Sequence, residues 1–237
     1  MGANKSDKRV LLFIVEGSHD EAALALPLEN LQKCHSSNRL IQLGFTGGDI
    51  TTKYEARDVK KEIEKCADNY RKEYRLNKKD ICQIVLLLDM DGAYIPDEAI
   101  IESDQHKKAF YNATTILHNR PELLIETHRY KCDRLETLLA LDYVWNGVPF
   151  GIYFVSCNFD HVACGNANAT NKGAVADNFA DKYNKDADGL RAFFNDPSLM
   201  LGNTYKTSWD AIKQGLNSLQ RHSNMNVFID THYPPNL

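Results

Sequence analysis

An almost continuous apolar run, ICQIVLLLDMD at residues 81–91, constrains the fold of this chain more than any other segment. It is short, rich in Ile, Val and Leu, and it ends in two aspartates, Asp89 and Asp91. Such a run is typical of a strand that is buried on both faces in a parallel sheet. The sequence therefore predicts an α/β protein with helices on both sides of that strand.

The elements around this run alternate between strands and helices. Further strands are predicted at RVLLFIV (9–15), RLIQLGF (39–45) and FGIYFVS (150–156). Ser18 and Glu21 have the spacing of a capping box, which predicts a helix that starts after Gly17. Residues 51–76 carry an amphipathic helix with one apolar face. This alternation predicts a mainly parallel central sheet flanked by helices.

The pattern is weaker after residue 92. Within 93–145 we predict helices over 104–119 and 133–144 and a short strand over 122–127. Helices are also predicted over 171–183, 190–195 and 207–222, and a strand over 225–230. We interpret the chain as a single domain, 1–237, divided into a core at about 9–92 and 146–165, a helical insertion at about 93–145 and a C-terminal helical extension at about 166–237.

Composition narrows the class of protein. We expect no membrane span, because no run of about 18 apolar residues occurs, and no secretory signal, because the first residues lack an apolar stretch. The six cysteines are scattered without a CxxC pair, which favours reduced thiols in the cytoplasm over disulfides or a zinc module. The net charge of −4 means that binding of nucleic acid would require a local basic patch or a metal ion.

Carboxylates follow two of the predicted strands directly. Glu16 comes after 9–15, and Asp89 and Asp91 end 81–91. The carboxyl ends of parallel strands meet at one edge of a sheet, where ligands bind. Carboxylates brought together there repel one another unless a cation neutralises them, and oxygen ligands suit Mg²⁺ or Mn²⁺. An extended strand would point Asp89 and Asp91 the same way, so the sequence predicts a metal site formed by these three acids.

Two motifs together resemble those of the TOPRIM domain: IVEGSHDEA, which contains Glu16, and LLLDMDG, which contains Asp89 and Asp91. In that family a glutamate ends the first strand and an aspartate–x–aspartate ends a later one. The resemblance covers about 9–92 and extends to about 165. It implies a TOPRIM-like Rossmannoid fold and metal-dependent phosphodiester cleavage, with Glu16, Asp89 and Asp91 as catalytic residues and metal ligands.

A looser resemblance lies in FVSCNFDHV, where Ser156, Phe159 and Asp160 match a serine and a phenylalanine–acid pair of some bacterial TOPRIM nucleases. It implies that Asp160 is a further metal ligand, although many relatives have glutamate at this position. Four residues are candidates that support the ligands: Asp20, Asp49, Ser156 and His161.

Structural interpretations of the same residues stay open. Glu16 alone fits a solvated acid at a strand end, and Asp20 fits an acid that favours a helix dipole. Asp49 lies in the turn TGGD, and His161 with Cys164 fits packing better than metal ligation.

The best likeness within the family is to small stand-alone nucleases, including OLD-like and phage-defence types. Such enzymes often act with an ATPase, and since this chain has no GxxxxGK[ST] loop, the ATPase would be a separate protein. We expect its contact at the Trp209 helix or in the insertion, and a homo-oligomer is left open. The alternatives are a catalytically inactive TOPRIM-fold regulatory or scaffold subunit, and a primase-like phosphoryl transferase. DNA and RNA are both candidate substrates.

Overall fold

The computed structural model describes residues 9–34, 41–52, 58–145 and 147–234. Its strands are β1 (Arg9–Val15), β2 (Ile41–Gly47), β3 (Ile81–Asp89), β4 (Ile100–Glu102), β5 (Phe110–Tyr111), β6 (Ile116–His118), β7 (Tyr143–Val144), β8 (Val148–Ser156) and β9 (His222–Ser223). Its helices are α1 (Ser18–Cys34), α2 (Val59–Glu73), α3 (Pro121–Leu139), α4 (Phe159–Cys164), α5 (Lys172–Tyr183), α6 (Ala187–Phe194), α7 (Tyr205–Ile212) and α8 (Met225–His232). Two parts of the predicted elements, 39–40 and 53–57, lie outside the described residues.

The principal sheet has the strand order β2–β1–β3–β8–β7, and β9 also pairs with β8. The four long strands β2, β1, β3 and β8 are parallel to one another. The two short strands β7 and β9 run antiparallel to β8. The sheet is therefore mixed, and the predicted α/β class, a sheet flanked by helices, is confirmed.

Successive residues of β1 pack on opposite sides of this sheet, as the alternation of side chains in a strand requires. One apolar core contains Leu11, Phe13 and Val15 of β1 together with residues of α1, α5, α6 and α8. The other core contains Val10, Leu12 and Ile14 of β1 together with residues of α2, α3 and α7. Burial on both sides explains why β1 reads as a continuous apolar run rather than an alternating one.

The segment 93–145 contains strands as well as a helix, so its description as a helical insertion needs correction. A separate three-stranded sheet of order β4–β6–β5 occupies its first half, and the helix predicted over 104–119 is wrong. Asn112 N–H donates to the carbonyl oxygen of Thr115 at 2.8 Å in the turn between β5 and β6. Asn and Thr bond readily to nearby backbone, so they favour turns over helix interiors.

The second half of the insertion is helical where a strand was expected. The strand predicted over 122–127 is wrong because α3 runs through it. Pro121 stands at the start of this helix, where a missing backbone N–H leaves no hydrogen bond unmade. The helix predicted over 133–144 ends early, at Leu139, and β7 follows it.

The strand predicted over 225–230 is also wrong, because α8 begins at Met225. Asn224 ends the pairing with β8: Phe154 N–H donates to Asn224 Oδ1 at 2.7 Å. Because the Phe154 N–H bonds to this side chain and not to a further backbone carbonyl, strand pairing stops and the chain leaves the sheet after β9. The apolar residues of α8 are then buried against β1 and β8, and Phe228 contacts Phe13 edge-on at 5.1 Å between ring centroids.

The helix predicted over 207–222 is shorter than expected and begins two residues earlier, at Tyr205. Thr204 and Thr207 form its capping box, and α7 ends at Ile212. Trp209 is 4% exposed, and its indole N–H donates to the carbonyl oxygen of Ile152 at 3.3 Å. Trp209 is therefore a core residue and does not offer the partner surface expected there. No helix among the described residues is long and apolar enough to cross a bilayer.

Replacement of Asn224 by alanine should lower the free energy of unfolding by about 2–3 kcal/mol. Asn224 is fully buried, and the change leaves Phe154 N–H without its acceptor inside the protein. Urea denaturation measures the effect. The matched control is Asn203→Ala at an exposed position, where we expect a change of less than about 0.5 kcal/mol. Equal losses in the two variants would contradict this role of Asn224.

Candidate functional site

The carboxyl ends of β1 and β3 lie side by side at one edge of the principal sheet. Val15 pairs with Leu87 in the parallel register, so Glu16 stands next to the end of β3. Asp89 is the last residue of β3, and Asp91 lies two residues on in the following turn. The structure thus brings Glu16, Asp89 and Asp91 to the same edge.

A buried lysine of α3 lies between two of these carboxylates. Lys131 has a side chain that is 1% exposed, and its Nζ is 2.7 Å from Asp91 Oδ2 and 3.7 Å from Glu16 Oε1. Residues three or four apart form the buried face of α3: His128, Lys131, Leu135 and Leu138. A buried ammonium is unfavourable unless carboxylates pair with it, so the two ion pairs hold α3 against the sheet edge.

One ammonium does not balance the acids at this edge. Burial raises the pKa of Glu16 to about 7, although the charge of Lys131 opposes the shift. Burial also raises the pKa of Asp89 well above its usual range, and the negative charges of Glu16 and Asp91 add to the effect. For Asp91, burial acts in the same direction but Lys131 outweighs it, so the pKa of Asp91 is lowered. Burial and repulsion among the carboxylates therefore disfavour the charged forms of Glu16 and Asp89 more than Lys131 favours them.

Asp89 and Asp91 do not point the same way, because β3 ends at Asp89. Asp91 has φ = 52°, in the left-handed region, and its N–H donates to the carbonyl oxygen of Cys157 at 2.6 Å. Its Oδ1 accepts a hydrogen bond from the Tyr111 hydroxyl at 3.1 Å. Asp89 Oδ1 instead accepts from the backbone N–H of Phe159 at 2.9 Å. The alternation expected of a strand thus stops before Asp91.

Asp160, the fourth predicted ligand, and Asp20 form a second acidic pair at the same edge. Asp160 is 4% exposed, in the first turn of α4, and its Oδ2 lies 3.1 Å from Nζ of Lys172. Burial raises the pKa of Asp20, and the negative charge of Asp160 raises that pKa further. The backbone N–H of Gly17 opposes the shift, because it donates a hydrogen bond to Asp20 at 3.0 Å. The charge of Asp20 also raises the pKa of Asp89, so the two groups of acids are electrostatically connected.

The remaining candidates make contacts of their own. The Ser156 hydroxyl donates to the carbonyl oxygen of Asn217 at 3.1 Å. His161 Nδ1 accepts the backbone N–H of Cys157 at 3.2 Å, and burial lowers the pKa of His161. Asp49 accepts the backbone N–H three residues further on, at 3.0 Å. These bonds orient the loops around the edge. Its charged groups include five acids and two lysines: Glu16, Asp20, Asp89, Asp91, Asp160, Lys131 and Lys172.

Sequence reasoning missed two residues of this site, Lys131 and Tyr111. Lys131 had a signal, since this lysine stands at helical spacing from Leu135 and Leu138 on one face of α3. Tyr111 had none, because its segment was predicted to be helical. Within the described ranges, no three carboxylate, imidazole or thiolate groups are arranged to hold one metal ion, and Lys131 takes the position between Glu16 and Asp91.

Comparison of the chain with protein-family models, with curated proteins and with solved structures found no match. The resemblance to the TOPRIM domain therefore rests on the motifs around Glu16 and around Asp89 and Asp91. The structure adds the position of these motifs at one sheet edge.

The substitution Glu16→Gln should stabilise the metal-free protein more at pH 8 than at pH 5. Glu16 has an ordinary pKa of 4.5 and a folded-state pKa of about 7. Its contribution to stability is therefore complete below 4.5 and is lost as the pH rises through 7. Because glutamine does not titrate, the difference in free energy of unfolding between variant and wild type should grow by about 2 kcal/mol over this interval.

Urea denaturation in EDTA at both pH values measures this difference. Glu98→Gln, at an exposed position, is the matched control and should give no pH-dependent difference. A Glu16→Gln effect that is the same at pH 5 and pH 8 would show that Glu16 has an ordinary pKa.

Proposed function

We propose that this protein is a metal-dependent phosphodiesterase, a nuclease that hydrolyses DNA or RNA. The observation that carries the proposal is the position of Glu16, Asp89 and Asp91 at the carboxyl edge of two neighbouring parallel strands. In open α/β sheets, ligands bind beyond that edge. Buried carboxylates with raised pKa values in one place are also typical of functional sites.

The donor set suits a hard divalent cation. Carboxylate oxygens are the preferred ligands of Mg²⁺ and suit Mn²⁺. Burial, with a further contribution from the neighbouring carboxylates, raises the pKa values of Glu16 and Asp89, and a bound cation would favour their charged forms. Glu16, Asp89 and Asp91 would hold such an ion once Lys131 leaves its position between Glu16 and Asp91, and Asp160 would serve a second one. When bound, the cation supplies a water of lowered pKa and stabilises charge on the phosphate.

The side chains of the protein would bind and orient the substrate. Lys131 offers an ammonium that a phosphate oxygen would attract, as it now attracts Asp91. Tyr111 fixes the orientation of Asp91 through its hydroxyl.

The proposal extends to the fold and setting. We assign a TOPRIM-like fold to the core because the two motifs follow β1 and β3. No disulfide joins Cys34, Cys82, Cys132, Cys157 or Cys164 in the described part of the chain, which fits a reducing compartment such as the cytoplasm. The proposed partners are a nucleic acid substrate and a separate ATPase, and phage defence is the proposed setting.

A second function is favoured by Lys131. Its ammonium already pairs with Glu16 and Asp91, so these carboxylates are partly neutralised without a metal. A TOPRIM-fold regulatory or scaffold subunit that binds a partner and has no catalytic activity would suit this arrangement. Metal binding separates the two functions.

Glu16→Gln should reduce nucleic acid cleavage at least about 100-fold while the fold survives. The measurement is incubation with plasmid, single-stranded DNA and total RNA, each with Mg²⁺, Mn²⁺ or EDTA. Asp160→Ala should reduce cleavage less, because it lies in the second acidic pair, and Glu98→Gln should cleave as wild type does. Equal cleavage by wild type and Glu16→Gln would contradict the proposed mechanism.

Isothermal titration calorimetry of the protein with Mn²⁺ should give a binding signal. The double variant Asp89→Asn with Asp91→Asn should abolish that signal. The physical reason is loss of two of the three carboxylates that hold the ion. A signal that survives in the double variant would place the metal elsewhere. Lack of a signal in the wild type would favour the non-catalytic function.

A further inference from the structure

The small sheet β4–β6–β5 has one buried face and one exposed face. Ile101 pairs with Leu117, and Leu117 pairs with Phe110, so these three side chains lie in a row across the three strands. We call this row the outer face. Ile101 is 43% exposed and Phe110 is 38% exposed, although both are apolar. An exposed apolar row on a small sheet is a candidate binding surface.

Basic residues precede β5 and follow β6 in a segment that contains no acid, although the exposed acids Glu102, Asp104 and Glu122 border it. The 17 residues 105–121 have three basic side chains, Lys107, Lys108 and Arg120, and no Asp or Glu, in a chain whose net charge is −4. All three basic residues are exposed. None of them takes part in an ion pair within the described part of the chain. This positive charge is therefore free to meet an anionic ligand.

An aromatic contact extends the outer face. The ring of His106 lies 4.7 Å from that of Phe110, measured between centroids. Ser103 Oγ lies 2.8 Å from His106 Nδ1 and holds the imidazole in this position. The two rings are tilted by 45°, so each ring presents its own face, and a nucleic acid base can stack on the exposed ring of Phe110.

The back of the same sheet reaches the acidic edge. Tyr111 follows Phe110 in β5, so its side chain projects to the opposite face, where its hydroxyl donates to Asp91 at 3.1 Å. Asn168 fixes this strand by accepting the N–H of Tyr111 at 2.9 Å and donating to its carbonyl oxygen at 2.8 Å. The outer face is thus separated from the candidate site by one layer of sheet.

We propose that the outer face and its basic rim, Lys107, Lys108 and Arg120, bind single-stranded nucleic acid and lead it to the acidic edge. The inference rests on the proposed function and names the form of its substrate. Three strands span only about 10 Å, which matches one or two unstacked bases and is too small for a duplex groove. Bases of a single strand are free to stack on Phe110, whereas those of a duplex are stacked on each other.

The test is fluorescence anisotropy of the full chain with labelled single-stranded DNA and RNA of about 12 nucleotides, in EDTA. We expect Phe110→Ala to raise Kd about tenfold, because one base loses its stacking partner. Phe110→Trp should restore binding. Lys107→Ala combined with Lys108→Ala should raise Kd about tenfold and lower the slope of log K against log salt by about 1.

Matched controls lie on other surfaces. Tyr143→Ala removes an aromatic side chain that is 58% exposed, and Lys182→Ala with Lys185→Ala removes two exposed lysines. Both should bind as wild type does. Circular dichroism and thermal unfolding check that each variant is folded.

No binding by wild type, or equal loss in the control variants, would overturn the proposal. The proposal would also be overturned if an unlabelled duplex of the same length displaced the labelled single strand as well as an unlabelled single strand does. A change from dimer to monomer in Phe110→Ala, measured by light scattering, with unchanged nucleic acid binding would instead make the outer face a contact between two copies. Because EDTA removes metal, binding without later Mg²⁺-dependent cleavage would reject the proposed nuclease function and leave this site standing.

Discussion

The ion pairs of Lys131 join the two parts of this molecule. Its Nζ, 2.7 Å from Asp91 and 3.7 Å from Glu16, fastens α3 of the insertion to the ends of β1 and β3. Without the carboxylates the buried ammonium would be destabilising by several kcal/mol, at about the level known for broken buried pairs. Without the ammonium the carboxylates would repel one another more strongly. The insertion and the core therefore each supply a charge that the other requires.

The turn after β3 determines how these charges meet. Asp91 and Gly92 both have positive φ, 52° and 76°. A side chain at position 92 would also come within 2.7 Å of Ile116 Cδ1, so glycine is required there on two grounds. Gly92 N–H donates to the carbonyl oxygen of Ser218 at 2.9 Å, which ties the turn to the C-terminal extension. This backbone directs Asp91 toward Lys131 and Tyr111, and strain of this kind in a non-glycine residue is concentrated at functional sites.

Prediction from the sequence succeeded where burial on both sides makes a strand continuously apolar, as in β1, β3 and β8. It failed where a short apolar segment suits a helix and a strand equally, as in 122–127 and 225–230. In those segments Pro121 and Asn224 decide the outcome, the first through its place at a helix start and the second through its hydrogen bond to β8. The hairpin of 110–118 was missed because two-residue and three-residue strands carry too little periodicity to be recognised.

The sequence by itself determined that Glu16, Asp89 and Asp91 follow apolar strands, because strand pattern and residue type are local properties. It also determined the α/β class, since alternation of strands and helices is visible along the chain. Only the tertiary structure decided which residues share the edge with these acids, since Lys131 and Tyr111 come from an insertion whose packing no local pattern encodes. It also decided that Glu16 has a pKa of about 7 and that the pKa of Asp91 is lowered, because burial and charge pairing depend on which distant elements pack together.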